Sequence, residues 1–371
     1  MPKIIEPEKR QKFKIQMLKM LGVNARISNN DLAKSLGIPK STVQKLFKEL
    51  VKERDLHFTA EIGIEELWRW EFVKQARTYN KKGILENVID QLPELGFGEF
   101  LILLKFIDGF PENEDLVKAF GNSYIPQFIG RLHGDYDLII YAIARNYDEV
   151  NKFVINLTKS LEKSKIISEL LNIRRTYGFF PLRKQLVKEF SIPDTYEHIL
   201  LGLNEDGRIE FSKIGRKFKH GLPHTLYAHV RLLETGILRR ATYYEGRPEK
   251  VFSAVIQIKI LNEASYLSTR NKWLLDMVKS YDQIHTEYTF ICDISNPQGM
   301  LFFMNFDSGE IVDNFIEKLR NELSGIEIRY FVITKVLIGA LGIRDFDMKY
   351  TKQYVGLESD KLVPKFNRSN R

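Results

Sequence analysis

The sequence predicts an α+β fold in which two winged helix-turn-helix domains and two ferredoxin-like (βαββαβ) domains lie in tandem. A helix-turn-helix pattern occurs twice, each copy is followed by a βαββαβ rhythm, and 371 residues exceed one ordinary core. The predicted divisions are a first helix-turn-helix domain at 1–57, a wing or linker at 58–96, a first sensing domain at 97–182, a winged helix-turn-helix domain at 183–250, a second sensing domain at 251–345 and a tail at 346–371.

The first helix-turn-helix pattern occupies residues 24–50, which read NARISNNDLAKSLGIPKSTVQKLFKEL. Gly37 marks the turn, and Pro39 suits the first position of the helix that follows. Apolar residues at helical spacing predict the inward face of this third helix, formed by Val43, Leu46, Phe47 and Leu50.

The second pattern, at 206–233, reads DGRIEFSKIGRKFKHGLPHTLYAHVRLL. Arg26 of the first copy matches Arg208, and Pro39 matches Pro223 once two inserted residues are allowed. The same periodicity argument predicts that the third helix of this copy buries Leu226, Val230 and Leu233.

Strands and helices after each helical unit follow the ferredoxin-like order. In the first copy we expect strands near 98–108, 124–132, 137–145 and 166–176, with helices near 113–121 and 148–161. In the second copy we expect strands near 251–261, 287–294, 300–306 and 326–338, with helices near 268–281 and 309–323.

Two further segments are interpreted from local pattern. Trp68, Trp70 and Phe72 alternate like a strand among helix formers, which favours an expanded wing or linker at 58–96. The run RRATYYEGRPEKVFSAV predicts a hairpin that turns at 245–248 and forms the wing of the second unit.

The outer face of the first unit's third helix combines lysines with hydrogen-bonding side chains, as a DNA-reading helix does. Its candidate DNA contacts are Lys40, Ser41, Thr42, Gln44, Lys45 and Lys48. In the second unit, the segment 207–247 carries nine Lys or Arg against three Glu. Its candidates are Lys219, His224, Thr225, Tyr227, His229, Arg231 and Arg247. No cysteine or carboxylate at ligand spacing accompanies its histidines, which favours DNA contact over a metal site.

Residues 24–50, together with the phrase RLHGDYDLIIYAIARNYDEVNKF at 131–153, resemble the Lrp/AsnC family of feast/famine regulators. The resemblance implies a helix-turn-helix joined to a ferredoxin-like ligand-sensing domain in each half of the chain. Members of that family carry one such unit and dimerise, so this chain would be a covalent pseudo-dimer. Larger homo-oligomers, built through exposed strands of the sensing domains, are also expected.

The resemblance also implies an effector site at the turn formed by Gly134, Asp135, Tyr136 and Asp137. In the family this turn lines an interface pocket that holds a small molecule such as an amino acid. Gly and Asp are equally expected in a hairpin turn for conformational reasons alone, so the structural interpretation stays open. The second copy has Asn296-Pro297-Gln298-Gly299 here, which predicts a lost or altered pocket.

Composition and the lack of certain motifs argue against several other classes of protein. The only cysteine, Cys292, excludes a disulfide framework and a cysteine-ligated metal, and a cytoplasmic location is expected. The charged N-terminus and the short, interrupted apolar run at 330–343 argue against export and against a membrane partner. No phosphate loop, GxSxG, HExxH or CxxC motif occurs, so we expect neither an enzyme nor a cofactor.

The predicted function is therefore sequence-specific regulation of transcription on double-stranded DNA, through helix-turn-helix modules that contact successive major grooves and respond to a small molecule. Siroheme decarboxylases resemble the same two-part plan, and His133 with Tyr136 would be the candidates for such chemistry. A DNA-bending chromatin protein without a ligand is the third alternative.

Overall fold

The structure is a computed structural model and describes residues 6–80, 97–120, 122–161, 165–246, 252–262, 286–296, 298–306 and 308–340. None of the helices in these ranges is long and apolar enough to cross a membrane. The expected helix near 268–281, the wing residue Arg247 and the tail at 346–371 lie outside the described residues.

A three-helix unit opens the chain. Ser28 caps its second helix by accepting a hydrogen bond from the Asp31 amide at 3.1 Å, and Gly37 ends that helix with a φ of +64°. The inward faces pack into one cluster with Leu56 and Tyr243. The elements are α1 (Pro7–Val23), α2 (Asn29–Leu36) and α3 (Lys40–Arg54), followed by β1 (Leu56–Ile62) and α4 (Ile64–Asn80).

Within the expected wing or linker at 58–96, β1 supplies a wing strand, and helix α4 corrects the strand-like interpretation of the aromatic residues that follow it. Trp68 and Trp70 lie on this helix, and the neighbouring Leu67 is fully buried. The ring centroid of Trp70 lies 5.8 Å from that of Tyr196 in the second helical unit. The alternation of aromatic residues was misleading because the two partly buried tryptophans follow a buried leucine along one helix.

The first ferredoxin-like unit has the predicted order of elements, and the described elements of the second unit follow the same order. The first contains β2 (Gly98–Phe106), α5 (Asn113–Phe120), β3 (Pro126–His133), β4 (Leu138–Ala144), α6 (Tyr147–Ser160) and β5 (Ile166–Tyr177). The second helical unit follows with α7 (Lys184–Lys188), α8 (Asp194–Glu205), α9 (Phe211–Phe218), α10 (Leu222–Glu234) and β6 (Leu238–Glu245). The second ferredoxin-like unit contributes β7 (Phe252–Ile260), β8 (Thr286–Asn296), β9 (Gln298–Phe306), α11 (Gly309–Glu322) and β10 (Ile326–Ile338).

The eight strands of these two units form one closed barrel in the order β10-β3-β4-β2-β5-β8-β9-β7. Each unit keeps its own ferredoxin-like strand order, and the units meet at two equivalent antiparallel junctions, β3 with β10 and β5 with β8. Closure leaves the described barrel strands without a free edge, so the expected self-association through exposed strands of the two ferredoxin-like units is wrong for these strands.

Both faces of the barrel wall are buried, which explains near-continuous apolar strands such as FLILLKF and LIIYAIA. The inner face holds an aromatic cluster that includes Phe128, Tyr141, Phe180, Phe290 and Phe303. The outer face is covered by α5 and α6 on one unit and by α11 on the other. The α+β fold class is therefore confirmed.

The predicted wing hairpin of the second unit is wrong. Strand β6 pairs antiparallel with β1 of the first unit, from Leu56 opposite Glu245 to Ile62 opposite Leu238. Strand β7 cannot serve as the partner of β6, because both of its edges are used by β9 and β10 in the barrel. A two-stranded wing sheet thus joins the two helical units.

The two arginines of the repeated Arg-Ile frame reach across between the helical units. Arg26 donates to the carbonyl oxygens of Gly207 and Ile209 at 3.0 and 2.9 Å, and Arg208 donates to the carbonyl of Ala25. The Arg26 guanidinium also lies 4.3 Å from the ring centroid of Phe211. Burial lowers the pKa of both arginines, so these contacts hold two desolvated cations side by side.

We predict that Arg26→Ala destabilises the paired helical units by roughly 3 kcal/mol, because it removes two hydrogen bonds from a charged donor. Urea unfolding followed by tryptophan fluorescence would measure the loss. Arg216→Ala is the matched control, because this exposed arginine makes only a 3.4 Å contact within its own helix. Equal unfolding free energies for the two variants would contradict the reciprocal contact.

Candidate nucleic-acid interface

The outer face of α3 is open to solvent. Lys40, Ser41, Gln44, Lys45 and Lys48 are exposed, whereas Thr42 is partly buried beside Val43. Within the described ranges, no hydrogen bond or ion pair engages these lysine and glutamine side chains. The helix therefore presents free donors and positive charge on the side opposite its core.

The acidic residues of α3 are neutralised from α1. Arg10 forms an ion pair with Glu49, and Lys14 lies 2.6 Å from Glu53. The hydrogen bond from Arg10 lowers the pKa of the Glu49 carboxyl, which therefore stays ionised and paired. As a result, the carboxylates of α3 are neutralised mainly from α1, and Lys45 contributes less to the lowered pKa of Glu49 than Arg10 and Lys14 do.

Helix α10 of the second unit is rotated relative to the prediction. Thr225, Ala228 and Leu232 form its buried face. Leu226, Val230 and Leu233, which were predicted to point inward, are 42%, 49% and 42% exposed. Small residues at the contact allow close approach to α9, where a Cβ on Gly215 would lie 3.3 Å from the Thr225 hydroxyl. Thr225 is thus wrong as a DNA contact.

The exposed face of α10 is mainly apolar. Leu222 and Tyr227 are 45% and 63% exposed. They extend the surface formed by Leu226, Val230 and Leu233. Such a face offers contact with thymine methyl groups but few donors for base edges or phosphates. The two third helices therefore differ in chemistry, although they occupy equivalent places in the duplicated plan.

Other candidate residues of the second unit make internal contacts. The His224 ring nitrogen lies 3.1 Å from the Thr195 hydroxyl, and Arg231 pairs with Glu234 at 2.6 Å. The ring of His229 packs against that of Phe211 at an interplanar angle of 50°, with centroids 4.4 Å apart.

His229 and Lys219 are two further DNA-contact candidates of the second unit. Burial, reinforced by Arg26, lowers the pKa of His229 to about 4, so this ring is neutral at physiological pH and adds no charge. Lys219 is exposed at the end of α9, where it adopts a left-handed φ of +59°.

Many of the basic side chains counted in the second unit form ion pairs within the protein. Arg240 donates to Glu61 at 2.6 Å, and Arg239 pairs with Glu61 and Glu66 at 3.4 and 3.2 Å. These ion pairs tie β6 to β1 and to α4. The excess of nine cations over three glutamates therefore overstates the field available to a phosphate backbone.

The predicted effector turn lies between β3 and β4, at the junction of the two ferredoxin-like units. The Asp137 carboxylate accepts from the Phe106 amide at 2.8 Å, and the Tyr136 hydroxyl bonds to Glu169. The Tyr136 ring also contacts Phe331 edge to face, at 5.7 Å between centroids.

The remaining two turn residues, Gly134 and Asp135, are exposed. A Cβ on Gly134, which has a φ of +139°, would meet the Phe331 ring at 3.2 Å. The turn thus has a structural role at the junction. Its role in binding an effector stays a prediction.

Two helix-turn-helix units on one closed ferredoxin-like barrel define a duplicated protein with a DNA-binding module. Residues 10–54 match the family model described as winged helix-turn-helix DNA-binding. This match and the two-unit fold agree with the resemblance drawn from residues 24–50 and 131–153. No curated protein sequence matches the chain.

Several solved structures are similar. The siroheme decarboxylase NirDL has 14% identity and a TM-score of 0.50, covering 94% of this chain and 99% of its own. Its complex with an iron-uroporphyrin III analogue has 12% identity and the same TM-score of 0.50, covering 94% of this chain and 100% of that one. LrpC from B. subtilis has 21% identity and a TM-score of 0.32, covering 39% of this chain and 96% of that one.

The prediction that the chain is not an enzyme is contradicted by the first two of these structures. They belong to an enzyme and share the two-unit fold over 94% of the chain. The absence of familiar catalytic motifs was a poor guide, because a protein of this fold is an enzyme. At 12–14% identity the likeness shows the fold alone.

The corrected orientation of α10 can be tested by two substitutions on opposite faces. Leu226→Gln should change the free energy of unfolding by less than about 0.5 kcal/mol, because the side chain is largely in solvent. Leu232→Ala should cost about 2 to 5 kcal/mol, because it opens a cavity in the core. Urea denaturation measures both, and the reverse ranking would restore the predicted inward stripe.

Proposed function

We propose that the chain is a sequence-specific DNA-binding regulator of transcription in which α3 of the first unit makes the principal contact with double-stranded DNA. The supporting observation is the exposed face of α3, whose free lysines and glutamine lie in the segment that matches a DNA-binding family. Lys45 and Lys48 hold phosphates, and Gln44 reads a base edge.

The second helical unit has a supporting role in this proposal. Its wing strand and Arg208 fix the orientation of the first unit, while its own exposed lysines, Lys213 and Lys219, add weaker phosphate contacts. Because α10 offers an apolar face, the two units do not read equivalent half-sites. The preferred DNA site is therefore asymmetric, and a small-molecule effector modulates the affinity.

The double variant Lys45→Ala/Lys48→Ala should weaken binding to all DNA sequences and reduce the slope of log K against log salt by about two units. Fluorescence anisotropy with a labelled duplex between low and physiological salt would measure this slope. The matched control, Lys213→Ala/Lys219→Ala, removes two cations from the second unit and should change the slope less. An equal effect of both pairs would argue against a dominant first unit.

Gln44→Ala should relax the preference at one or two base positions, because a bidentate contact with adenine is worth about 1 to 3 kcal/mol of discrimination. Selection from random DNA, with and without amino acids, would compare the motifs of the two proteins. An unchanged motif would remove Gln44 as a reader. Selection that yields no motif for the wild-type chain would support the DNA-bending alternative.

A siroheme-decarboxylase-like enzyme is the second candidate, favoured by the shared fold over both units. The proposed residues differ in availability, because His133 is exposed whereas the Tyr136 hydroxyl is bonded to Glu169. Titration with iron-uroporphyrin III separates the candidates. A saturable absorbance change that His133→Ala abolishes would support the enzyme, and an unchanged spectrum would count against it.

A further inference from the structure

A cavity of about 290 Å³ lies between the wing sheet and the first ferredoxin-like unit. This volume is at the lower end of the range for small-molecule sites. Strand β1, helix α4 and Arg239 of β6 form one side, and strands β2, β4 and β5 form the other. A molecule bound here would contact both the DNA-binding half and the barrel.

Glu99 of β2 carries the most unusual chemistry of this cavity. The Tyr141 hydroxyl donates to one of its carboxylate oxygens at 2.8 Å. No other hydrogen bond or ion pair of Glu99 occurs within the described residues, so the second oxygen retains its acceptor capacity. Burial raises the pKa of the Glu99 carboxyl, the Tyr141 hydrogen bond opposes this, and the nearby Glu65 raises the pKa further, so a cation beside the free oxygen would be needed to favour the ionised carboxylate.

The cations around the cavity form no ion pair with Glu99 within the described residues, although Arg239 lowers the pKa of its carboxyl through its charge. Arg239 is paired with Glu61 and Glu66 at 3.4 and 3.2 Å. Arg174 is exposed, so its charge is screened by solvent. With Glu61, Glu65 and Glu99 in the lining, carboxylates outnumber guanidinium groups, and a ligand rich in carboxylates is disfavoured.

The rest of the lining is apolar and aromatic. Phe180 stacks on Tyr141 with centroids 4.5 Å apart, and Phe97 packs against Phe190 at 5.1 Å. Ile143 and Ile173 are buried on the neighbouring strands. These surfaces suit the hydrocarbon part of a ligand whose polar end meets Glu99.

The second ferredoxin-like unit has no such acid at the equivalent place. Glu99 and Leu101 are the second and fourth residues of β2, and Ser253 and Val255 hold the same positions in β7. Leu101 pairs with Tyr141, whereas Val255 pairs with Phe303. The hydroxyl of Ser253 donates to Asn305 at 2.9 Å. The carboxylate and its tyrosine are therefore peculiar to the first unit and are not a requirement of the barrel.

We propose that this cavity binds a compact organic amine, whose ammonium group pairs with Glu99 and whose apolar body packs against Phe97 and Phe180. An ammonium group donates three hydrogen bonds and supplies the charge that Glu99 lacks. The site is distinct from the turn at 134–137, which contributes nothing to the lining.

Calorimetry on the full chain tests this with three probes of similar shape: 2-phenylethylamine, 2-phenylethanol and 3-phenylpropanoate. The amine should bind saturably, the alcohol at least tenfold more weakly, and the acid without detectable heat. Hexylamine should bind as well, because the apolar wall does not demand an aromatic ring. Lack of saturable binding by both amines would overturn the proposal.

Variants locate the binding. Glu99→Gln should weaken the amine at least tenfold, while Glu205→Gln, which removes an exposed acid from α8, should leave its affinity unchanged. Ile173→Phe fills the cavity with Glu99 intact and should also abolish binding, which covers the case in which Glu99→Gln fails to fold. Equal affinity for wild type and either cavity variant, or equal affinity for the amine and the alcohol, would contradict the site.

Discussion

Strand pairing between the two halves of the chain is the constraint on which the rest of this structure depends. Neither half can complete its sheets alone, because β3 needs β10, β5 needs β8 and β1 needs β6. An unpaired strand edge would expose backbone donors and acceptors, so the halves are held together at three places. The crossed contacts of Arg26 and Arg208 then fix the angle between the helical units.

Covalent fusion removes the need for the halves to be identical. In a dimer of one repeated chain, every substitution appears on both sides of the symmetry axis. Here α3 keeps free lysines on its outer face, whereas the equivalent face of α10 has become apolar. The barrel diverges in the same way, with Glu99 in one unit and Ser253 in the other. The contacts that join the two halves are reciprocal, whereas the surfaces proposed to bind DNA and the amine differ between the halves.

Elements that depend on interactions between residues close in sequence could be predicted, whereas elements that depend on distant residues could not. The ferredoxin-like strands and α3 were readable, because local periodicity and turn residues such as Gly37 define them. The partner of β6 was not readable, because β1 lies far away in the sequence. In α10 two apolar stripes compete, and the buried one contains Thr225 and Ala228, whose small size matters only against a close neighbour. The cavity could not be predicted from the sequence, because Glu99 is identified as a site residue only by its hydrogen bond with Tyr141 on another strand.

Charge shows most clearly why a sequence-level count is insufficient for function. A basic segment attracts DNA only through cations that remain in solvent, because the charge of a paired guanidinium is neutralised by its carboxylate partner. In the second unit, Arg208, Arg239 and Arg240 serve the interface between halves. In the first unit the arrangement is reversed, since Arg10 and Lys14 of α1 occupy the acids of α3. The first unit therefore presents the more available positive surface, which supports the proposal that DNA binds at α3.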